Sequence, residues 1–183
     1  MILAVVAALA APGVAAAADP PVRSCSERAE IGRPVSGPGR DDVRVGPVFF
    51  AGAKLLADRP ATDFRPRRPG QTHMFWKLAL IARASTRVTL VIPAEHRSVA
   101  GLAYRGGERP RPPFTIANGG AATRIRACRR DRRAFSYDGV VGGWTAFPGG
   151  FLLSGPGCVP VEVRERGRVH RATLSFGAGD CPT

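Results

Sequence analysis

Arginine is the residue type that could do chemistry in this chain. Arg65, Arg67 and Arg68 fall within four residues of one another, Arg129, Arg130, Arg132 and Arg133 within five, and Arg105, Arg109 and Arg111 form a third group. A guanidinium is permanently charged and offers a planar fork of N–H donors that grips phosphate or carboxylate groups in pairs. Of the 27 basic residues only Lys54 and Lys77 are lysines, and against 14 acidic residues the formal charge is +13. That balance reads as a surface for anions. A GC-rich genome gives a second reading, in which the arginine excess is compositional and keeps loops solvated.

Other constellations are poorer in chemistry. His73, His96 and His170 stand on separate segments with no His-Glu-x-x-His spacing, so a metal centre is not expected. Ser154 lies in Leu152-Leu153-Ser154-Gly155, which is not the Gly-x-Ser-x-Gly turn of a nucleophile elbow, although triads assembled in space need no motif. Glu95-His96 follows Ile92-Pro93 in an expected turn. No catalytic residue and no cofactor is expected.

Cys25, Cys128, Cys158 and Cys181 have no spacing suited to zinc and read as two disulfides, with three connectivities open. The expected pairing is Cys128 with Cys158 and Cys25 with Cys181, the latter closing the chain ends together. An oxidising compartment agrees with the first residues. Met1 to Ala18 carries no charge, is apolar through Leu9-Ala10, breaks at Pro12-Gly13 and ends in Ala15-Ala16-Ala17-Ala18. Residues 1–18 are therefore expected to be a signal peptide, cleaved after Ala18.

The elements that must position the arginines follow from period and punctuation. Residues 19–42, rich in Pro, Gly and charge, are expected to form an extended leader. From Val43 the chain alternates. Trp76, Leu78, Leu80 and Ala82 share one face; Val88, Leu90 and Ile92 share another, and Ala84-Ser85-Thr86 between them suggests a hairpin. Val43 to Phe50 reads as one strand interrupted at Gly46-Pro47, and Phe114 to Ala117 as a short strand. Trp144 to Leu153 reads as a strand bent at Pro148-Gly149, and residues 158–176 as a hairpin turning at Gly167. His170 shares a parity with Ala172, Leu174 and Phe176 and is expected to pack inward. No segment has the period of an amphipathic helix. Residues 43–183 are thus expected to be a single all-β domain, an immunoglobulin-like β-sandwich of seven to nine antiparallel strands, with a jelly roll or small barrel as the alternative. Loops in a sandwich gather at its ends, where the arginine clusters could converge.

Trp144, Phe147, Gly149-Gly150-Phe151, Gly155-Pro156, Cys158-Val159, Val161, Val163 and the terminal Cys181 together resemble a pattern found in small secreted proteins of high-GC actinobacteria. The resemblance covers roughly residues 120–183 and implies an exported β domain, without an activity or ligand residues to carry over.

The expectation is a secreted, disulfide-linked, non-catalytic β domain. It would bind an anionic cell-wall polymer or a membrane surface through Arg65, Arg67, Arg68, Arg129, Arg130, Arg132 and Arg133. Nucleic acid is not an expected partner of an exported chain, and only Phe64 and Phe135 stand beside these arginines as rings on which bases could stack. The alternatives are an extracellular hydrolase and a structural subunit of a secreted assembly.

Overall fold

The computed structural model describes residues 19–104 and 111–182. The expected signal peptide, with Arg105 and Arg109 of the third cluster, lies outside the described residues. Twelve strands are present among them: β1 (Val22–Arg23), β2 (Val43–Val45), β3 (Val48–Phe50), β4 (Met74–Lys77), β5 (Leu80–Arg83), β6 (Arg87–Val91), β7 (Ala100–Leu102), β8 (Ala122–Arg126), β9 (Trp144–Phe147), β10 (Gly150–Leu153), β11 (Gly157–Glu165) and β12 (Arg168–Phe176). Five short 3-10 turns are interspersed.

The chain is all-β, in three sheets. A five-stranded sheet has the order β1-β8-β6-β11-β12, a four-stranded sheet the order β2-β3-β5-β9, and a three-stranded sheet the order β4-β10-β7. None closes on itself. Pairing is antiparallel except for β1, which lies parallel to β8. The two smaller sheets are joined across a shared bend. Leu80 opposes Phe147 and Lys77 opposes Gly150, and between them the Leu78 N–H donates to the Gly149 carbonyl at 3.0 Å. The bent strand expected at Pro148-Gly149 is the hinge of that junction.

A single apolar core draws on all three sheets: Val88, Leu90 and Phe176 from the first, Phe50 and Leu80 from the second, Phe151 and Leu102 from the third. Phe64, in the long connection between β3 and β4, plugs its margin against Trp76 and Phe176 at ring separations of 4.6 and 5.8 Å. The connection is therefore held by an aromatic anchor, which contributes about 1.5–3 kcal/mol by burial alone.

Several local expectations change. Gly46-Pro47 is the turn of a two-stranded hairpin, with Val45 opposite Val48, and not an interruption in one strand. Gly46 has a φ of +60°, and a Cβ there would lie 2.5 Å from the His170 ring, so the imidazole packs over the turn from β12. Ala84-Ser85-Thr86 does not make a hairpin: β5 and β6 belong to different sheets, and the chain crosses between layers through Ser85 at a φ of +64°. Leu80 and Ile81 are both buried, so both faces of β5 are covered, and β3 and β9 flank it within its sheet. Ile116–Asn118 is a 3-10 turn where a strand was expected. The hairpin at β11 and β12 is as expected, with Gly167 at a φ of +80° and Arg166 also left-handed.

The expected disulfide connectivity is overturned. The bonds are Cys25–Cys128 and Cys158–Cys181. Both β8 and β11 run antiparallel to β6, hence parallel to each other, and Cys128 follows the end of β8 while Cys158 begins β11. The two cysteines thus stand at opposite ends of the sheet, roughly 30 Å apart at strand rise. Cys25 meets Cys128 because β1 brings Arg23 beside Ile125. Cys181 meets Cys158 because the chain after β12 turns back through Gly177 and Gly179, both at a φ of +66°. Residues 19–42, expected as an extended leader, supply β1 and a bridge from Ala29 to Ala146.

Gly150 is the tightest point of the bend: a Cβ there would stand 1.9 Å from the Trp76 carbonyl oxygen. Backbone cannot yield as a flexible side chain can. Gly150→Ala is expected to cost about 3 kcal/mol, at the upper end for overpacking, read as a lower urea midpoint.

Candidate functional site

The solvent side of the five-stranded sheet carries a cluster of arginines. Strand alternation buries Val88, Leu90, Ile125, Val161 and Val163 and turns their neighbours outward. Arg87 of β6 directly opposes Arg126 of β8; Thr89 lies between Arg124 of β8 and Arg164 of β11; Arg171 of β12 opposes Glu162 of β11. With Arg166 from the β11–β12 turn, Arg87, Arg124, Arg126 and Arg164 line a shallow open depression of about 290 Å³ over Thr89.

Only part of this charge is neutralised. Glu162 accepts from Arg164 at 2.8 Å and from Arg171 at 3.0 Å. The hydrogen bond from Arg164, then that from Arg171, holds its carboxyl below the usual carboxylate range although burial works in the opposite sense. Arg124 pairs with Asp19. Arg87, Arg126 and Arg166 have no ion pair among the described residues. Like charges directly opposite on neighbouring strands are destabilising. Arg87 facing Arg126 is therefore a local cost that an anion would relieve. Arg124 and Arg126, two residues apart on one face, are spaced by about 6.8 Å, so forks on β6, β8 and β11 offer several grips at the reach of successive phosphates or carboxylates.

The loop clusters lie on separate connections. Arg65, Arg67 and Arg68 precede β4, and Arg67 pairs with Asp63. Arg129, Arg130, Arg132 and Arg133 follow β8 at the other end of the β4–β5 run, where the Ser85 N–H donates to the Cys128 carbonyl. The second cluster lies in the connection that leaves β8 after Arg126. Arg129 is paired with Asp131 at 2.9 Å, and Arg28, buried beneath the loop, donates to the Arg133 carbonyl at 3.1 Å.

The sequence reading missed Arg87, Arg124, Arg126, Arg164 and Arg166. The signal was present as alternation for Arg87, Arg124, Arg126 and Arg164, each the outward member of a period-2 strand whose inward members are apolar; Arg166 sits in the β11–β12 turn. Isolated arginines on separate strands look like ordinary surface until the strand order is known.

His73 is held by the backbone and a neighbouring hydroxyl. His73 donates from Nε2 to the Ser98 carbonyl at 3.3 Å, which leaves Nδ1 to accept from the Thr72 hydroxyl at 2.9 Å. A backbone carbonyl orients the ring but does not stabilise an imidazolium as a carboxylate would. A second cavity of about 530 Å³, lined by Pro93, Pro160, Ala172, Thr173 and Pro182, contains Glu162, whose two oxygens are taken by arginines. No group of three metal-ligating side chains occurs among the described residues. Comparison with protein-family models, with curated proteins and with solved structures finds no match.

Proposed function

We propose that this disulfide-linked β domain is an exported, non-catalytic module that binds a polyanionic component of the cell envelope. The anion would lie across the solvent face of the five-stranded sheet. The observation that carries the reading is Arg87 opposite Arg126, flanked by Arg124, Arg164 and Arg166 and incompletely neutralised. Two disulfides fit an oxidising compartment, and the uncharged segment before Asp19 fits export. The same reading takes the five-stranded sheet and the joined smaller sheets as the two layers of an immunoglobulin-like β-sandwich, since one core serves all three.

Long-chain polyphosphate is a suitable probe, because it presents repeated phosphates without base or sugar chemistry. Binding by the oxidised protein is expected at about 50 mM salt and to weaken steeply by about 200 mM, as counterion release requires. Absence of binding at the lower salt would contradict the reading.

A further inference from the structure

The connection after β8 and the segment around Glu30 together form a tip that carries exposed apolar side chains. Ile31 and Phe135 are each 66% exposed and Val140 is 46% exposed. They sit on two segments that are tied together. Glu30 accepts from the backbone N–H groups of Phe135 and Ser136 at 2.7 and 2.8 Å, the Gly32 N–H donates to Ser136 Oγ at 3.3 Å, and Arg133 bridges Val140. The Arg28 guanidinium lies 4.6 Å from the centre of the Phe135 ring and fixes it from beneath. Around these side chains stand the exposed Arg130, Arg132 and Arg133, which have no ion pair among the described residues; the acidic members of the loop are Asp131, taken by Arg129, and Asp138.

A dissolved polyanion satisfies arginines but offers no apolar phase for Ile31, Phe135 and Val140. An anionic bilayer supplies both: phosphates at the surface and, a few ångströms deeper, the headgroup–acyl boundary where amphipathic tips bury. We infer that this tip docks on an anionic lipid bilayer, with Ile31, Phe135 and Val140 inserted and Arg130, Arg132 and Arg133 on lipid phosphates. The inference rests on the anion-binding reading above and commits it to a lipid source.

The test compares the oxidised protein with Ile31→Ser/Phe135→Ser on sedimenting vesicles of phosphatidylglycerol with phosphatidylcholine, on pure phosphatidylcholine vesicles, and on polyphosphate. Wild-type protein is expected on the anionic vesicles and not on the neutral ones. Loss of two inserted side chains is expected to weaken partitioning by about tenfold or more, with polyphosphate affinity changed by less than about twofold. Should the double variant fold poorly, Phe135→Trp gives an independent readout. Its emission, after subtraction of Trp76 and Trp144 measured in wild type, is expected to be quenched by brominated lipid.

Equal vesicle binding by wild type and the double variant, or an unquenched Phe135→Trp reporter, would overturn the inference. Wild-type protein that binds polyphosphate but not anionic vesicles would overturn it while leaving the anion-binding reading intact; binding to neither would overturn both. A tip-dependent dimer without vesicle binding would also overturn it, by making a second copy the occupant.

Discussion

Replacing Cys25 and Cys128 together with alanine is expected to lower the unfolding free energy by about 4.7 kcal/mol, a large share of the roughly 5–15 kcal/mol that an ordinary domain possesses. The bond spans 103 residues of sequence, so its loss releases a long closed loop in the unfolded chain. Cys158–Cys181 spans only 23 residues, and the same chain-entropy argument assigns it about 3.4 kcal/mol. Native contacts point the same way. Cys25–Cys128 ties β1 and the segment after it to the end of β8, where Arg28 and Glu30 are buried. Urea unfolding of the two paired-alanine variants checks the order. Equal stability of the Cys25/Cys128 variant and wild type would show that β1 is held by its other contacts alone.

Glu30→Ala is expected to cost about 3–5 kcal/mol, because it strands a buried cation. The Glu30 side chain is 4% exposed and that of Arg28 5%, with 2.6 Å between carboxylate and guanidinium Nε. The remaining carboxylate oxygen takes the N–H groups of Phe135 and Ser136, so one deletion leaves three donors without their acceptor. Glu30→Gln keeps an oxygen for the backbone donors and is expected to lose less. Burial opposes ionisation of Glu30, but the Ser136 and Phe135 N–H groups and Arg28 together outweigh it and hold the carboxyl below its ordinary range.

The sign of the pH dependence follows. A carboxyl whose pKa is lower in the folded state stabilises the fold above the unfolded value of about 4.3, and that contribution is lost as pH falls through the folded value. The stability gap between wild type and Glu30→Gln should therefore narrow below about pH 4. A gap that widened in acid would contradict the arrangement. The tip segments carrying Ile31 and Phe135 hang on this carboxylate, so Glu30→Ala should also loosen the surface assigned to lipid.

Much of the all-β character was legible in the sequence, because alternation is local. The β11–β12 hairpin and the bend at Pro148-Gly149 could be read from a few neighbouring residues. What failed was long-range. Whether Ala84-Ser85-Thr86 folds β5 back on β6 or passes it to another sheet depends on which strands pair with Leu80 and Ile81, and their partners are Phe50 and Phe147 for Leu80 and Phe49 and Ala146 for Ile81. Cysteine pairing failed for the same reason: spacing carries no information on the parallel contact of β1 with β8. The charged surface was legible only as composition. Consecutive arginines drew the eye to loops, while the members that face one another, Arg87 and Arg126, are 39 residues apart in sequence and meet only through register.

The solvent face of the five-stranded sheet is the assigned seat of anion affinity. Polyphosphate binding should be measured as a function of salt for wild type, Arg87→Ser/Arg126→Ser and Arg65→Ser/Arg68→Ser. The sheet-face pair is expected to lose about tenfold or more in affinity at low salt, with a shallower dependence on salt because fewer counterions are displaced. The loop pair, at the far end of the β4–β5 run, is expected to change by less than about threefold, as solvated surface charges do. Unchanged affinity and salt slope in Arg87→Ser/Arg126→Ser, with the loss falling on Arg65→Ser/Arg68→Ser, would contradict the assignment of the site to the sheet face.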